Sequence, residues 1–131
     1  MEKFGELFQT ADWRKEKHVP VIECPEQIKV DEPFSIKVTI GKEIPHPNTT
    51  EHHIRWISVY FLPEDEKFTY QVGYFEFSAH GESVKGANQG PIYTNHEITA
   101  SLKTSKSGII YATALCNIHG LWQSRKDIQV S

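Results

Sequence analysis

The sequence predicts an all-β protein, an immunoglobulin-like antiparallel β-sandwich of about seven strands. Two segments alternate apolar and polar residues strictly, several more are apolar runs bounded by turn residues, and nowhere do strand and helix patterns alternate. Taken in chain order, a short N-terminal helix is the one helical element expected, around Glu6 to Trp13. The run Val19 to Ile22 leads into Cys24, which reads as a strand residue in or near the core. Phe34, Ile36, Val38 and Ile40 alternate with Ser35, Lys37 and Thr39, as in a strand with one buried face.

Ile54 to Leu62 is β-branched and aromatic on both parities, which predicts a strand covered on both faces, and Pro63-Glu64-Asp65-Glu66 predicts a turn. Phe68, Tyr70 and Val72 share one parity while Phe75 and Phe77 share the other, so a bulge is expected at Gly73. Gly81 to Pro91 reads as a loop and His96 to Leu102 as an alternating strand. Lys103 to Gly108 reads as a turn, Ile109 to Leu115 as an apolar strand ending at Cys116, and Asp127 to Val130 as a closing strand. With 131 residues and 38% apolar content, one domain spanning 1–131 is expected.

Composition narrows the function classes. Fourteen Lys and Arg against seventeen Asp and Glu leave a formal charge of -3, which offers no footprint for nucleic acid. The N-terminal stretch carries charges throughout and lacks an apolar run, so neither a signal peptide nor a membrane span is expected and the cytoplasm is the expected location. Cys24 and Cys116 are too few for a disulfide framework and should be thiols there. By the same reasoning, the acceptor pattern Asn48-Thr49-Thr50 should go unglycosylated.

The informative feature is a load of seven histidines, most of them grouped. His18 lies in Glu16-Lys17-His18-Val19-Pro20. His46, His52 and His53 lie within His46 to His53, and Cys116 and His119 form Cys116-Asn117-Ile118-His119-Gly120. A lone histidine in a loop is more often a surface residue than a ligand, and His80 and His96 are read that way. The two prolines around His46 restrict its backbone, which suits a ligand and equally an ordinary loop. Two residues between a thiolate and an imidazole let Cys116 and His119 reach one ion from a single turn. Cys24 has no neighbouring donor and is not expected to bind metal.

With these three segments the chain resembles the superoxide reductases of the short, single-domain type, the neelaredoxins of the desulfoferrodoxin family. The resemblance rests on Glu-Lys-His-Val-Pro at 16–20, His-Pro-Asn followed by a second histidine at 46–52, and Cys-Asn-Ile-His-Gly at 116–120. It implies one mononuclear non-haem iron per chain, held in a plane by His18, His46, His52 and His119 with Cys116 as axial ligand. Neighbouring residues on an extended chain point oppositely, so only one of His52 and His53 can face a metal, and the family spacing selects His52.

The resemblance also implies one-electron reduction of superoxide to hydrogen peroxide, an external donor such as rubredoxin, and a homotetramer. Glu16 would occupy the sixth position in the oxidised state, and Lys17 would supply positive charge. Alone, both read as part of the solvated charge run from Arg14 to Lys17. Longer members carry a four-cysteine iron centre, which two cysteines cannot build. Two other readings compete. A cupredoxin-like copper electron-transfer protein would use His46, Cys116 and His119, but the only methionine is Met1, and His18 and His52 would go unexplained. A metal-free immunoglobulin-like binding module would be colourless.

Overall fold

A computed structural model of the chain describes residues 2–131. Eight strands form two sheets: β1 (Val21–Glu23), β2 (Gln27–Ile28), β3 (Phe34–Thr39), β4 (Ile54–Pro63), β5 (Tyr70–Glu76), β6 (Glu97–Leu102), β7 (Gly108–Cys116) and β8 (Gly120–Val130). The smaller sheet has the order β1-β3-β6 and the larger β2-β8-β7-β4-β5. Ile36 and Val38 of β3 and Ile98 of β6 meet Ile57, Val59, Ile110, Ala112 and Ile128 of the larger sheet in the core. The expected alternation holds in β3, whose even-numbered residues are buried. In β4 the inward residues Ile57, Val59 and Phe61 are buried, while Trp56, Tyr60 and Leu62 on the outer face are half-buried.

Several expectations are corrected. The two-residue β2 pairs in parallel with β8, so the sandwich is not wholly antiparallel. The helical element is a single 3-10 turn at Phe4–Leu7, not a helix over Glu6 to Trp13, and none of its residues is buried. Without an apolar face to dock, a longer helix has little to stabilise it. The bulge expected at Gly73 is present, with Val72 beside it as the extra residue of β5, because Val59 pairs with Gly73 and Tyr60 with Gln71. Phe68 falls outside β5 and is exposed. The closing strand is far longer than Asp127 to Val130, beginning at Gly120. Leu121 to Lys126 shows no clean apolar alternation, but its pairing with β7 holds it extended. No helix among the described residues is long and apolar enough to cross a membrane.

Candidate metal centre

The motif Cys116 to Gly120 is the hairpin joining β7 to β8. Buried positions alternate along β7 at Ile110, Ala112, Ala114 and Cys116, so the thiol is the last inward-facing residue of the strand, at the rim of the core. Cys116 pairs with Gly120 across a three-residue loop, and Gly120 takes the left-handed conformation (φ 79°) that this type of loop needs. The turn brings His119 back onto the strand end. Its N–H donates to Cys116 Sγ (3.4 Å), and its Nδ1 lies 3.8 Å from the same sulfur.

Two other segments reach this rim. His18 lies just before β1, separated from it by Val19 and Pro20, and is buried. His52 precedes β4 and is held by Thr49, whose N–H donates to the His52 carbonyl (2.9 Å) and whose Oγ1 accepts the His52 N–H (3.0 Å). Donor atoms of His18, His52, Cys116 and His119 all lie within 4.8 Å of one another. Ligand bonds of about 2.0–2.3 Å put opposed donors roughly 4–4.6 Å apart, so this spacing is at the outer edge of what a single ion bridges.

His46 lies outside that four-donor group but inside the same circuit of rings. The centroids His18–His46, His46–His52, His52–His119 and His119–His18 are 4.9, 4.8, 5.0 and 4.7 Å apart, with interplanar angles of 74°, 77°, 52° and 64°. His46 Nδ1 lies 2.6 Å from the Pro47 carbonyl, which makes it the protonated nitrogen and leaves the lone pair on Nε2. That Nε2 is buried with no hydrogen-bond partner. Burial pushes the His46 pKa down to about 3, so at ordinary pH the ring is neutral and its Nε2 lone pair is not blocked by a proton. An orphaned buried nitrogen beside three imidazoles and a thiol fits a metal site, since a metal ion would satisfy it. The loop bearing His46 folds tightly onto Gly41, where a Cβ would meet the His46 backbone nitrogen at 2.5 Å.

Glu16 is not in the four-donor group. Its Oε2 lies 2.6 Å from His18 Nδ1, while Oε1 accepts the N–H groups of His18 and Val19. Burial pushes its carboxyl up, but the hydrogen bonds to His18 outweigh that and hold it below the ordinary value. The pairing turns the His18 Nε2 toward His119 Nδ1, 3.1 Å away. Lys17 is half-buried, and its charge is among the causes, after burial and the charges of His119 and His18, that lower the His52 pKa. His119 and Ile118 are exposed, so the cluster opens to solvent on one side.

His53 faces away from the cluster. It is buried and stacks on buried His80 at 3.5 Å and 9°, so the reading of His80 as a surface histidine is corrected. His96 is half-buried, also unlike the surface reading, and its ring lies 5.8 Å from that of His46. Cys24 is half-buried and packs against the core, where burial pushes its thiol pKa up.

The desulfoferrodoxin family model matches residues 10–125. The chain belongs to the desulfoferrodoxin family. Among its relatives, the neelaredoxin of Megalodesulfovibrio gigas is 58% identical over 96% of this chain and 97% of its own. The superoxide reductase of Pyrococcus furiosus is 54% identical over 95% of this chain and 98% of its own. The reduced superoxide reductase (neelaredoxin) of Archaeoglobus fulgidus, a solved structure, superposes with a TM-score of 0.87 at 52% identity, covering 94% of this chain and 98% of its own.

Two neighbours of the cluster gave no signal in the sequence. Trp122 stacks on His18 (4.8 Å, 12°), and its Nε1 donates to the His119 carbonyl (3.2 Å). Asn117 bonds across to the backbone on both sides of His52. A tryptophan two residues past a glycine reads as core, and an asparagine in a turn reads as a turn former. Only the packing reveals the second use of each.

Proposed function

We propose that this chain, folded as one domain over 1–131, is a superoxide reductase with one iron ion held by His18, His46, His52, His119 and Cys116. The circuit of four imidazoles closed at its edge by a thiol is the observation that carries this reading. Imidazole and thiolate donors suit a redox-active first-row metal, and the names of the relatives supply the substrate. A copper site built on His46, Cys116 and His119 leaves His18 and His52 without a role. The axial methionine usual in such a site has one candidate in the sequence, Met1, which lies outside the described residues.

Iron bound there would supply one electron by cycling between its ferrous and ferric states. Superoxide takes up that electron and two protons and leaves as hydrogen peroxide, with its O–O bond intact. The chain's own residues orient the donors, keep His46 neutral and admit the anion. Burial keeps His46 unprotonated, the His119 N–H donates to the sulfur of Cys116, and Glu16 orients His18. Lys17 lends positive charge beside His52 to a protein of net charge -3. For Glu16 to act as a sixth ligand in the oxidised state, its carboxylate must give up its bonds to His18 and Val19.

The electron must come from outside, from rubredoxin or a similar donor, because the two cysteines supply no second centre. The half-buried Trp56, Tyr60, Leu62, Tyr111 and Leu115 on the outer face of the large sheet suit packing against further copies in a homotetramer.

The test is metal analysis and a visible spectrum with and without reductant, followed by superoxide consumption by the reduced protein. One iron per chain, a band bleached by reductant, and hydrogen peroxide formed without oxygen are the expected results. Copper in the purified protein, a colourless protein, or oxygen released in step with peroxide would overturn the reading.

A further inference from the structure

Asn117 occupies the first position of the β7–β8 hairpin loop, directly after Cys116. The last backbone pair between β4 and β7 is Ile54 with Cys116, and beyond it Asn117 continues the ladder with its side chain. The His53 N–H donates to Asn117 Oδ1 (2.9 Å), and the Asn117 N–H donates to the His53 carbonyl (3.1 Å). Asn117 Nδ2 then donates to the Glu51 carbonyl (2.8 Å). One asparagine therefore binds the residues immediately before and after His52. The His52 backbone itself bonds only within its own turn, to Thr49. Between them, these bonds leave His52 Nε2 3.2 Å from Cys116 Sγ.

We propose that Asn117 is a positioning residue that locks His52 in register with Cys116, so that two segments far apart in sequence offer their donors to one metal at a preset spacing. The proposal rests on the ligand set given above. Both polar atoms of the side chain are used, one as acceptor and one as donor, and only an amide of this length supplies both at once. Without it the 51–53 segment keeps its own Thr49 turn but loses its tie to the thiolate. The cost should then fall on metal binding, which needs the two segments in register, more than on the hairpin, which has its own ladder with β8.

The test is cobalt(II) binding to metal-free protein, read by competition with a chelator and by the thiolate-to-cobalt absorption band. Asn117→Ala should weaken binding by about 10- to 100-fold and shift the band. In a His52→Ala background the same substitution should change affinity by less than about threefold, because the residue it positions is gone. Equal losses in both backgrounds would mean that Asn117 supports the hairpin in general, and no loss in the otherwise wild-type protein would remove its role altogether. If Asn117→Ala does not fold by circular dichroism, Asn117→Asp, which keeps the acceptor for His53 and loses the donor to Glu51, is read in the same two backgrounds by the same criteria. Cobalt binding indifferent to His52→Ala would sink the ligand set itself. Binding that depends on His52 but not on Asn117 would sink only this proposal.

Discussion

Two groups of histidines lie on opposite sides of one short stretch of backbone, with His52 turned toward one and His53 toward the other. In the first group four rings form a circuit around a thiol, with neighbouring rings set at 52–77°. In the second, His53 and His80 lie face to face at 9° and 3.5 Å. Rings set at steep angles can direct their lone pairs to one point, whereas stacked rings direct theirs side by side. Both groups contain buried histidines, so burial and proximity do not separate them. Orientation does, and it comes from what each ring is anchored to: Glu16 for His18 and the Pro47 carbonyl for His46, against the Thr49 carbonyl for His53.

The largest effect expected from this contrast comes from paired substitutions. Cys116→Ser and His52→Ala should abolish the thiolate-to-iron band or the bound iron, while Cys24→Ser and His53→Ala should keep both. His53→Ala should instead lower stability by about 1–3 kcal/mol through the lost stack and carbonyl bond. Iron content and visible spectra of the four proteins decide the matter, and equal iron in His52→Ala and His53→Ala would erase the distinction.

Acid should act on both groups in the metal-free protein. Burial lowers the pKa of His46 to about 3 and also lowers that of His80, whereas in the unfolded chain both titrate near 6.5. The unfolded state then binds more protons below that value, so this stability is full above pH about 6.5 and is lost as pH falls through each folded-state value, about 3 for His46. His46→Gln and His80→Gln should each flatten the decline in melting temperature between about pH 6.5 and 4. Loading with metal should protect against the His46 contribution alone. Identical slopes in wild type and both variants would show that neither ring titrates in that window.

A smaller effect is expected at the open side of the first group. Lys17→Ala should slow the reaction with superoxide by about tenfold and weaken its decline with ionic strength, and Lys17→Arg should stay near wild type. Pulse-radiolysis rates across salt concentrations test this, and equal salt slopes in all three proteins would remove the steering role. Smallest of all should be Glu16→Ala, which leaves the reduced protein reactive but alters the oxidised spectrum by removing the carboxylate held against His18. Indistinguishable oxidised spectra at every pH would exclude Glu16 from the iron.

Much of this protein was legible from local pattern. Period-2 alternation revealed β3 and most of β6, and the apolar run before Cys116 marked β7, because a half-buried sheet imposes that spacing on each strand separately. The Cys116 to His119 unit was equally legible, since a three-residue hairpin loop closed by Gly120 brings both donors together without help from the rest of the chain. Family resemblance, not spacing, singled out His18, His46 and His52.

Tertiary structure decided the remainder. The full length of β8 depends on pairing with β7 and not on its own alternation. The two-residue β2 exists only because β8 offers an edge. Alternation along the chain says that His52 and His53 point opposite ways but not which way is inward, and the answer came from His80, 27 positions beyond His53, stacking on one of the two. His18 and His119 meet across 101 residues of sequence. A donor's direction is set by the packing of whatever stands behind it, and when that neighbour is distant in sequence no local pattern can encode it.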